Sequence, residues 1–250
     1  MITCPVLRLG EVDSTNRYAL QNIDTFPDRQ IIVADRQTAG YGRFGRAWIS
    51  CGPANLYMSV ILKPAMPLGD LKALPALSLY ASLKLCELLL EYGADAEIKW
   101  PNDVLVCGRK IAGILGEAVF RGDRVTGYVL GVGVNLNMTD RELESIDRPA
   151  TSVNLITGKE VDRELFLNGL LQAFFEGYEG FLAGGFPTIR DDYVKRCGFL
   201  GKHVAVRVSD RTCSGTALSF SKEGALVLRA DTGETLTLTA GEVSLLRPSH

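Results

Sequence analysis

Near residue 198 the chain changes texture, and this limits its fold more than any other feature. Beyond that point it reads as short strands and turns. Runs at 204–208, 216–220, 225–229, 236–238 and 243–245 are rich in apolar and β-branched residues. Turn formers separate them: Ser209-Asp210, Lys222-Glu223-Gly224 and Asp231-Thr232-Gly233. Closely spaced strands with no helix between them predict a small barrel. A domain boundary is therefore expected there, dividing residues 1–198 from residues 199–250.

Upstream, helical and strand patterns mix. Ser14 is placed to cap a short helix over the following TNRYALQNI. Residues 31–34 and 55–62 read as strands, and 74–92 as a buried helix stopped by Gly93. Pro101-Asn102 marks a turn between strands at 97–100 and 103–106, and 111–120 and 128–136 are two more strand-like runs. Phe166, Leu170, Phe174, Tyr178 and Phe181 recur at helical spacing behind Asp162, a capping residue. Pro187 predicts the start of a last helix that ends near Gly198. No internal repeat or low-complexity stretch is visible.

Composition narrows the function. Of 250 residues, 46% are hydrophobic, enough for a packed core and against disorder. The formal net charge of −2 disfavours nucleic acid as a partner. Six cysteines (4, 51, 86, 107, 197 and 213) form no C-x-x-C pair, and the histidines are His203 and His250. A zinc site is not expected, and reduced thiols suit a cytoplasmic protein. No apolar run reaches the roughly 18 residues of a membrane span. The longest candidate, 71–92, is broken by Lys72, Pro75, Lys84 and Glu87, and the N-terminus lacks a signal pattern. A soluble, cytoplasmic protein without a membrane partner is the expectation.

Residues 40–45, Gly-Tyr-Gly-Arg-Phe-Gly, match the dinucleotide fingerprint letter for letter. That fingerprint needs a helix opening at its end, to hold a pyrophosphate at the helix N-terminus. Here Arg-Ala-Trp-Ile-Ser-Cys-Gly-Pro follows, which has no helical period. A mobile loop that approaches a ligand closely fits better. Arg43 and Arg46 would offer guanidinium forks to carboxylate or phosphate, and Trp48 a flat apolar face. The alternative is a flexible surface loop with solvated charges.

Lys99-Trp100-Pro101-Asn102-Asp103 is followed by Arg109-Lys110-Ile111-Ala112-Gly113. Asn102 and Asp103 are turn formers, so turn chemistry alone accounts for them. The functional reading has Lys99 and Lys110 facing a shared anion, with Asp103 near a metal or a nucleotide hydroxyl. Ser14-Thr15-Asn16 is either a plain helix cap or a cluster that hydrogen-bonds a small neutral polar group. Gly131 and Gly133, at alternate positions in Gly131-Val132-Gly133-Val134-Asn135, leave room for something packed flat on a sheet.

Singly these signals are weak. In this order, with Gln37-Thr38-Ala39 before the glycine loop, they resemble the catalytic domain of biotin–protein ligases. The tail, with Gly215, Gly224-Ala225-Leu226 and Gly241-Glu242-Val243, resembles that family's small C-terminal barrel. The resemblance implies an α+β fold: a mixed/antiparallel sheet flanked by helices, class II synthetase-like, plus a small SH3-like β-barrel. It implies ATP and biotin as substrates with Mg²⁺, biotinyl-5'-AMP as the intermediate, and a lysine of a biotin carboxyl carrier protein or domain as the acceptor. Biotin-binding roles fall on Ser14, Thr15, Asn16, Gln37, Gly40, Tyr41, Gly42, Arg43, Lys110, Gly113, Gly131 and Gly133. Roles at ATP or the adenylate fall on Arg43, Arg46, Trp48, Lys99, Asn102, Asp103 and Asn135. Lys110 and Arg43 would be catalytic, and Asp103 the candidate for the metal.

Physical chemistry supports the carry-over. A carboxylate attacking phosphorus needs fixed cations to bring two anions together. Such a site needs neither histidine nor a nucleophilic cysteine. Tyr41 departs from the family, which often carries arginine there. Because the Ser-Thr-Asn motif begins at residue 14, no N-terminal DNA-binding domain is expected, hence no operator-binding repressor. Homodimers occur in the family and remain open for this chain. Two rivals are weighed against the ligase. A lipoate or octanoate ligase would lack this combination of motifs, and a non-catalytic biotin sensor would lack Lys110 or Arg43.

Overall fold

The computed structural model describes residues 4–63, 73–122, 124–208 and 210–246. Lys72, Ser209 and His250, named above, lie outside them. A seven-stranded sheet forms the frame, with strand order β1-β2-β3-β7-β6-β5-β4. Its strands are β1 (Val6–Val12), β2 (Gln30–Gln37), β3 (Leu56–Leu62), β4 (Glu97–Lys99), β5 (Asp103–Val106), β6 (Arg109–Arg121) and β7 (Arg124–Val134). β1 runs parallel to β2 and every other pair is antiparallel. The sheet is therefore mixed, as expected.

Every residue of β3 is buried, because both faces of the sheet are covered. On one face lies α1 (Thr15–Gln21), whose Ala19 packs with Ile23, Ile32, Ile61 and Val129. On the other lie α2 (Leu77–Glu91) and α5 (Arg163–Gly184). α5 buries the expected stripe, with the Asp162 carboxylate accepting from the Glu164 and Leu165 amides. Tyr80 of α2 stacks on Phe181 at 4.6 Å and meets Phe174 edge-on at 5.2 Å.

The reading of Pro187 needs correction. It sits in a separate 3-10 turn, Phe186–Thr188, and α6 (Arg190–Lys195) follows as a six-residue helix. Gly185 at φ +66° redirects the chain. The bend brings both Phe186 and Tyr193 against Phe220. Three elements were not anticipated: β1, α3 (Asp140–Glu144) and α4 (Val153–Thr157).

The five C-terminal strands form an antiparallel SH3-like sheet of order β11-β10-β9-β8-β12. They are β8 (His203–Val208), β9 (Arg211–Phe220), β10 (Leu226–Ala230), β11 (Thr235–Leu238) and β12 (Glu242–Leu245). Val204, Val206, Leu226, Leu228 and Val243 join the same apolar core as α2 and α5. The buried Trp100 indole donates to the Gly224 carbonyl at 3.1 Å. The Lys-Trp-Pro-Asn-Asp turn is thereby fastened to the second sheet.

Candidate active site

A cavity of about 410 Å³ opens over β6 and β7, within the usual range for a small-molecule site. Of the residues given binding or catalytic roles from the sequence, all but Gly40 line it. Gly40 is buried beneath the wall: a Cβ there would meet the Trp48 carbonyl at 2.8 Å and Gln37 Nε2 at 2.9 Å.

One end of the cavity is neutral. Ser14, Thr15 and Asn16 start α1, and each is under 5% exposed. The Ser14 hydroxyl accepts from the Arg17 amide, so it is a helix cap as well as part of the wall. Gln37 Oε1, from the end of β2, accepts from the Thr15 amide at 2.9 Å. Ser59 Oγ lies 2.8 Å from Thr15 Oγ1 and 2.6 Å from Asn16 Oδ1. Asn16 Nδ2 donates to Glu117 Oε2 at 2.7 Å.

The glycine–arginine loop folds back on itself as a small hairpin. Tyr41 bridges Ala47, the Gly42 amide donates to the Arg46 carbonyl, and a 3-10 turn spans Arg43–Gly45. Gly45 takes φ +70°, a backbone state open to glycine and costly for most residues. No helix follows, so the dinucleotide reading fails on geometry as well. The hairpin lays Trp48 flat on the sheet. A Cβ at Gly133 would come within 2.6 Å of the indole, and one at Gly131 within 2.2 Å of Asn16 Oδ1. The space left by the alternate glycines is thus filled by the protein's own side chains, with the cavity beyond them.

The other end is cationic, but its cations are already engaged. Lys110 pairs with Asp103 at 2.6 Å and stands 5.3 Å from the Trp48 ring centre. Lys99 pairs with Glu242 at 3.3 Å. Each lysine thus has its own carboxylate partner, and both line the same cavity. Arg43 donates to the Gly241 carbonyl at 2.9 Å, and burial lowers its pKa. Glu242 also pairs with Arg46 at 2.5 Å, Arg207 at 3.1 Å and Arg148 at 3.6 Å. Arg46 foremost, with Lys99, holds the Glu242 carboxyl at about 2. Glu242, Asp147, Arg148, Met58 and Ser145 line the cavity without having been given a site role from the sequence.

Asn102 and Asn135 line the wall while bracing backbone: Asn102 Nδ2 donates to the Ile114 carbonyl, and Asn135 Nδ2 to that of Thr151. Among the described residues, no three His, Cys, Asp or Glu side chains gather as a metal cluster. No described helix is long and apolar enough to cross a membrane.

One pocket with a neutral hydrogen-bonding end, a cationic end and an indole between them is shaped as a small-molecule site with room for a polar head beside an anion. The chain belongs to the biotin/lipoate A/B protein ligase family, matched over residues 9–135, and residues 199–246 match the biotin protein ligase C terminal domain. It is 35% identical over 241 residues to the biotin–[acetyl-CoA-carboxylase] ligase of Paracoccus denitrificans, covering 94% of this chain and 98% of that one. Its fold resembles the biotin protein ligase from Aquifex aeolicus in complex with biotin and ATP. That likeness has a TM-score of 0.82 at 30% identity and covers 97% of this chain and 99% of that one. The bifunctional ligase/repressor BirA of Bacillus subtilis is 33% identical over 209 residues, 83% of this chain. The match takes in 63% of that relative's length, less than two thirds.

Proposed function

We propose that the chain is an ATP-dependent biotin–protein ligase. The observation that carries this reading is the union, in one cavity, of a neutral amide-and-hydroxyl end with a cationic end, roofed by a glycine–arginine hairpin. The neutral end suits the ureido ring of biotin: Ser14, Thr15, Asn16 and Gln37 offer donors and acceptors without charge. Trp48 lies between, and its buried Nε1 makes no hydrogen bond among the described residues. An orphaned indole donor is what an acceptor on a bound adenylate would satisfy.

Chemistry follows at the cationic end. The biotin carboxylate oxygen attacks the α-phosphorus of ATP, the bond to the bridging oxygen breaks, and pyrophosphate leaves. Lys110 and Arg43, which line that end, would neutralise both anions as charge gathers. A carrier lysine amine then attacks the acyl carbon, an amide forms, and AMP departs. The intermediate anhydride is sensitive to water, and the folded hairpin shields it. Mg²⁺ would enter with the nucleotide, held mainly by phosphate oxygens and water, with Asp103 the nearby carboxylate. It would supply further charge neutralisation.

The acceptor in this reading is a lysine of a biotin carboxyl carrier domain, and the setting is the cytoplasm. The test is to incubate the chain with MgATP, biotin and an apo carrier domain, then weigh the carrier by intact mass spectrometry. A biotinyl mass gain that needs ATP and is absent with lipoate is expected. Biotin binding without any mass gain would replace the ligase by a sensor.

A further inference from the structure

Tyr41 stands where ligases of this family often carry arginine, and the structure gives it a different employment. Its phenol donates to Glu117 Oε2 at 2.9 Å. The same oxygen accepts from Asn16 Nδ2 at 2.7 Å. Glu117 sits within β6, paired with Val129 of β7, so the carboxylate is mounted on a rigid central strand. Tyr41 is the residue that closes the hairpin opposite Ala47. The Arg17 guanidinium lies over its ring at 5.5 Å and pairs with Asp13 at 2.7 Å.

A carboxylate only accepts hydrogen bonds, so Glu117 fixes which end of the Asn16 amide faces it. The Leu115 carbonyl aids it, accepting from the same Nδ2 at the longer distance of 3.3 Å. Asn16 Oδ1 is correspondingly aimed at Ser59 Oγ, 2.6 Å away, and its flip would set two acceptors together. Burial and Glu117 both raise the Tyr41 pKa, so the phenol keeps its proton and goes on donating.

We infer that Tyr41 and Glu117 form a latch: one carboxylate holds the hairpin down and orients the Asn16 amide, coupling closure over the adenylate to the ring-binding end. Both are positioning residues, acting through the hairpin and through Asn16. The inference rests on the ligase reading and deepens it. It also explains how a loop lacking one of the family's cations stays closed, by a hydrogen bond to a strand in place of an arginine.

The test follows release of biotinyl-AMP from the wild-type chain, Tyr41→Phe, Glu117→Gln and the double variant. Calorimetry of biotin binding runs alongside. A hydrogen bond to a charged group contributes about 1.5 kcal/mol or more, so losing it in Tyr41→Phe should speed release about tenfold or more. Glu117→Gln keeps an acceptor oxygen and loses the charge, so it should speed release less. The double variant should release no faster than the faster single one, because both changes break the same latch. Glu117→Gln should also weaken biotin binding without ATP. Wild-type release by Tyr41→Phe, or effects that multiply in the double variant, overturns the latch. Tyr41→Phe removes one oxygen from a half-buried ring, so it decides the matter even if Glu117→Gln does not fold. Failure of the wild-type chain to make any biotinyl-AMP would instead overturn the ligase reading.

Discussion

Lys110 illustrates how much one side chain carries. It is paired with Asp103, stands beside the Trp48 ring and borders Gly113, whose bare Cα leaves room for the lysine tip. In the ligase reading, Lys110→Ala removes the cation and would leave the Asp103 carboxylate unpaired beside the phosphates of ATP. Loss of one preorganised donor of this kind costs on the order of 2.7–4 kcal/mol of barrier, a 100- to 1,000-fold loss of rate. Adenylate formation, followed as pyrophosphate release, should fall by that much while the melting temperature stays near wild type. A normal rate would remove Lys110 from the chemistry. Arg43 acts differently, since it ties the hairpin to the Gly241 carbonyl as well as facing the cavity. Arg43→Gly should therefore let biotinyl-AMP escape and label bystander proteins, read by blotting with streptavidin. Labelling no higher than wild type would mean that Arg43 does not retain the adenylate. At this scale the sequence was a good guide wherever residues cluster in a motif. Glu117 and Ser59 were invisible to it, because they meet Tyr41 and Asn16 only across the fold.

Elements were legible where periodicity was strong and obscure where tertiary contacts decide. The stripe on α5 and the capped α1 came straight from spacing and from Asp162 and Ser14. β1 alternates weakly, and its structure comes from parallel pairing with β2, a long-range event. α3 and α4 have five residues each, too few for a period to register. The glycines of β7 were read correctly as space on a sheet but not as space for the protein's own side chains. That distinction gives a sharp test. Gly133→Ala would place a methyl carbon 2.6 Å from the Trp48 indole, against strand backbone that cannot retreat. The hairpin must lift, at an overpacking cost of roughly 1–3 kcal/mol. Stability should fall by about that amount in urea unfolding, and adenylate affinity should fall with it. Gly10→Ala in β1, where nothing lies within 4 Å, serves as the control and should do neither. Equal effects from both would remove the packing argument.

Across the whole molecule, the C-terminal sheet is part of the site and not an appendage. Its texture in the sequence predicted strands and a boundary, but nothing there announced that Glu242 would reach Arg46 and Lys99 in the wall of the cavity. Glu242 opens β12 and gathers Arg46, Lys99, Arg148 and Arg207, three of them from the larger sheet and its loops. The cluster keeps Arg46 and Lys99 in place and, through the neighbouring Gly241 carbonyl, Arg43 as well. Its folded-state carboxyl is depressed from 4.5 to about 2. A depressed acid stabilises the fold fully above its unfolded value and loses that contribution as pH falls through its folded value. The stability that Glu242 confers should therefore be complete above about pH 4.5 and fade between there and about pH 2. Glu242→Gln removes this contribution at every pH. Thermal melts of the two proteins should differ most near neutral pH, and the gap should narrow as the pH drops below 4.5. Raised salt should shrink the gap only in part, since the Glu242 side chain is 19% exposed and screening acts mainly on open pairs. A gap that stays constant down to pH 3 would show that the charge of Glu242 does not hold the two sheets together. The carboxylate would then act as a hydrogen-bond acceptor alone.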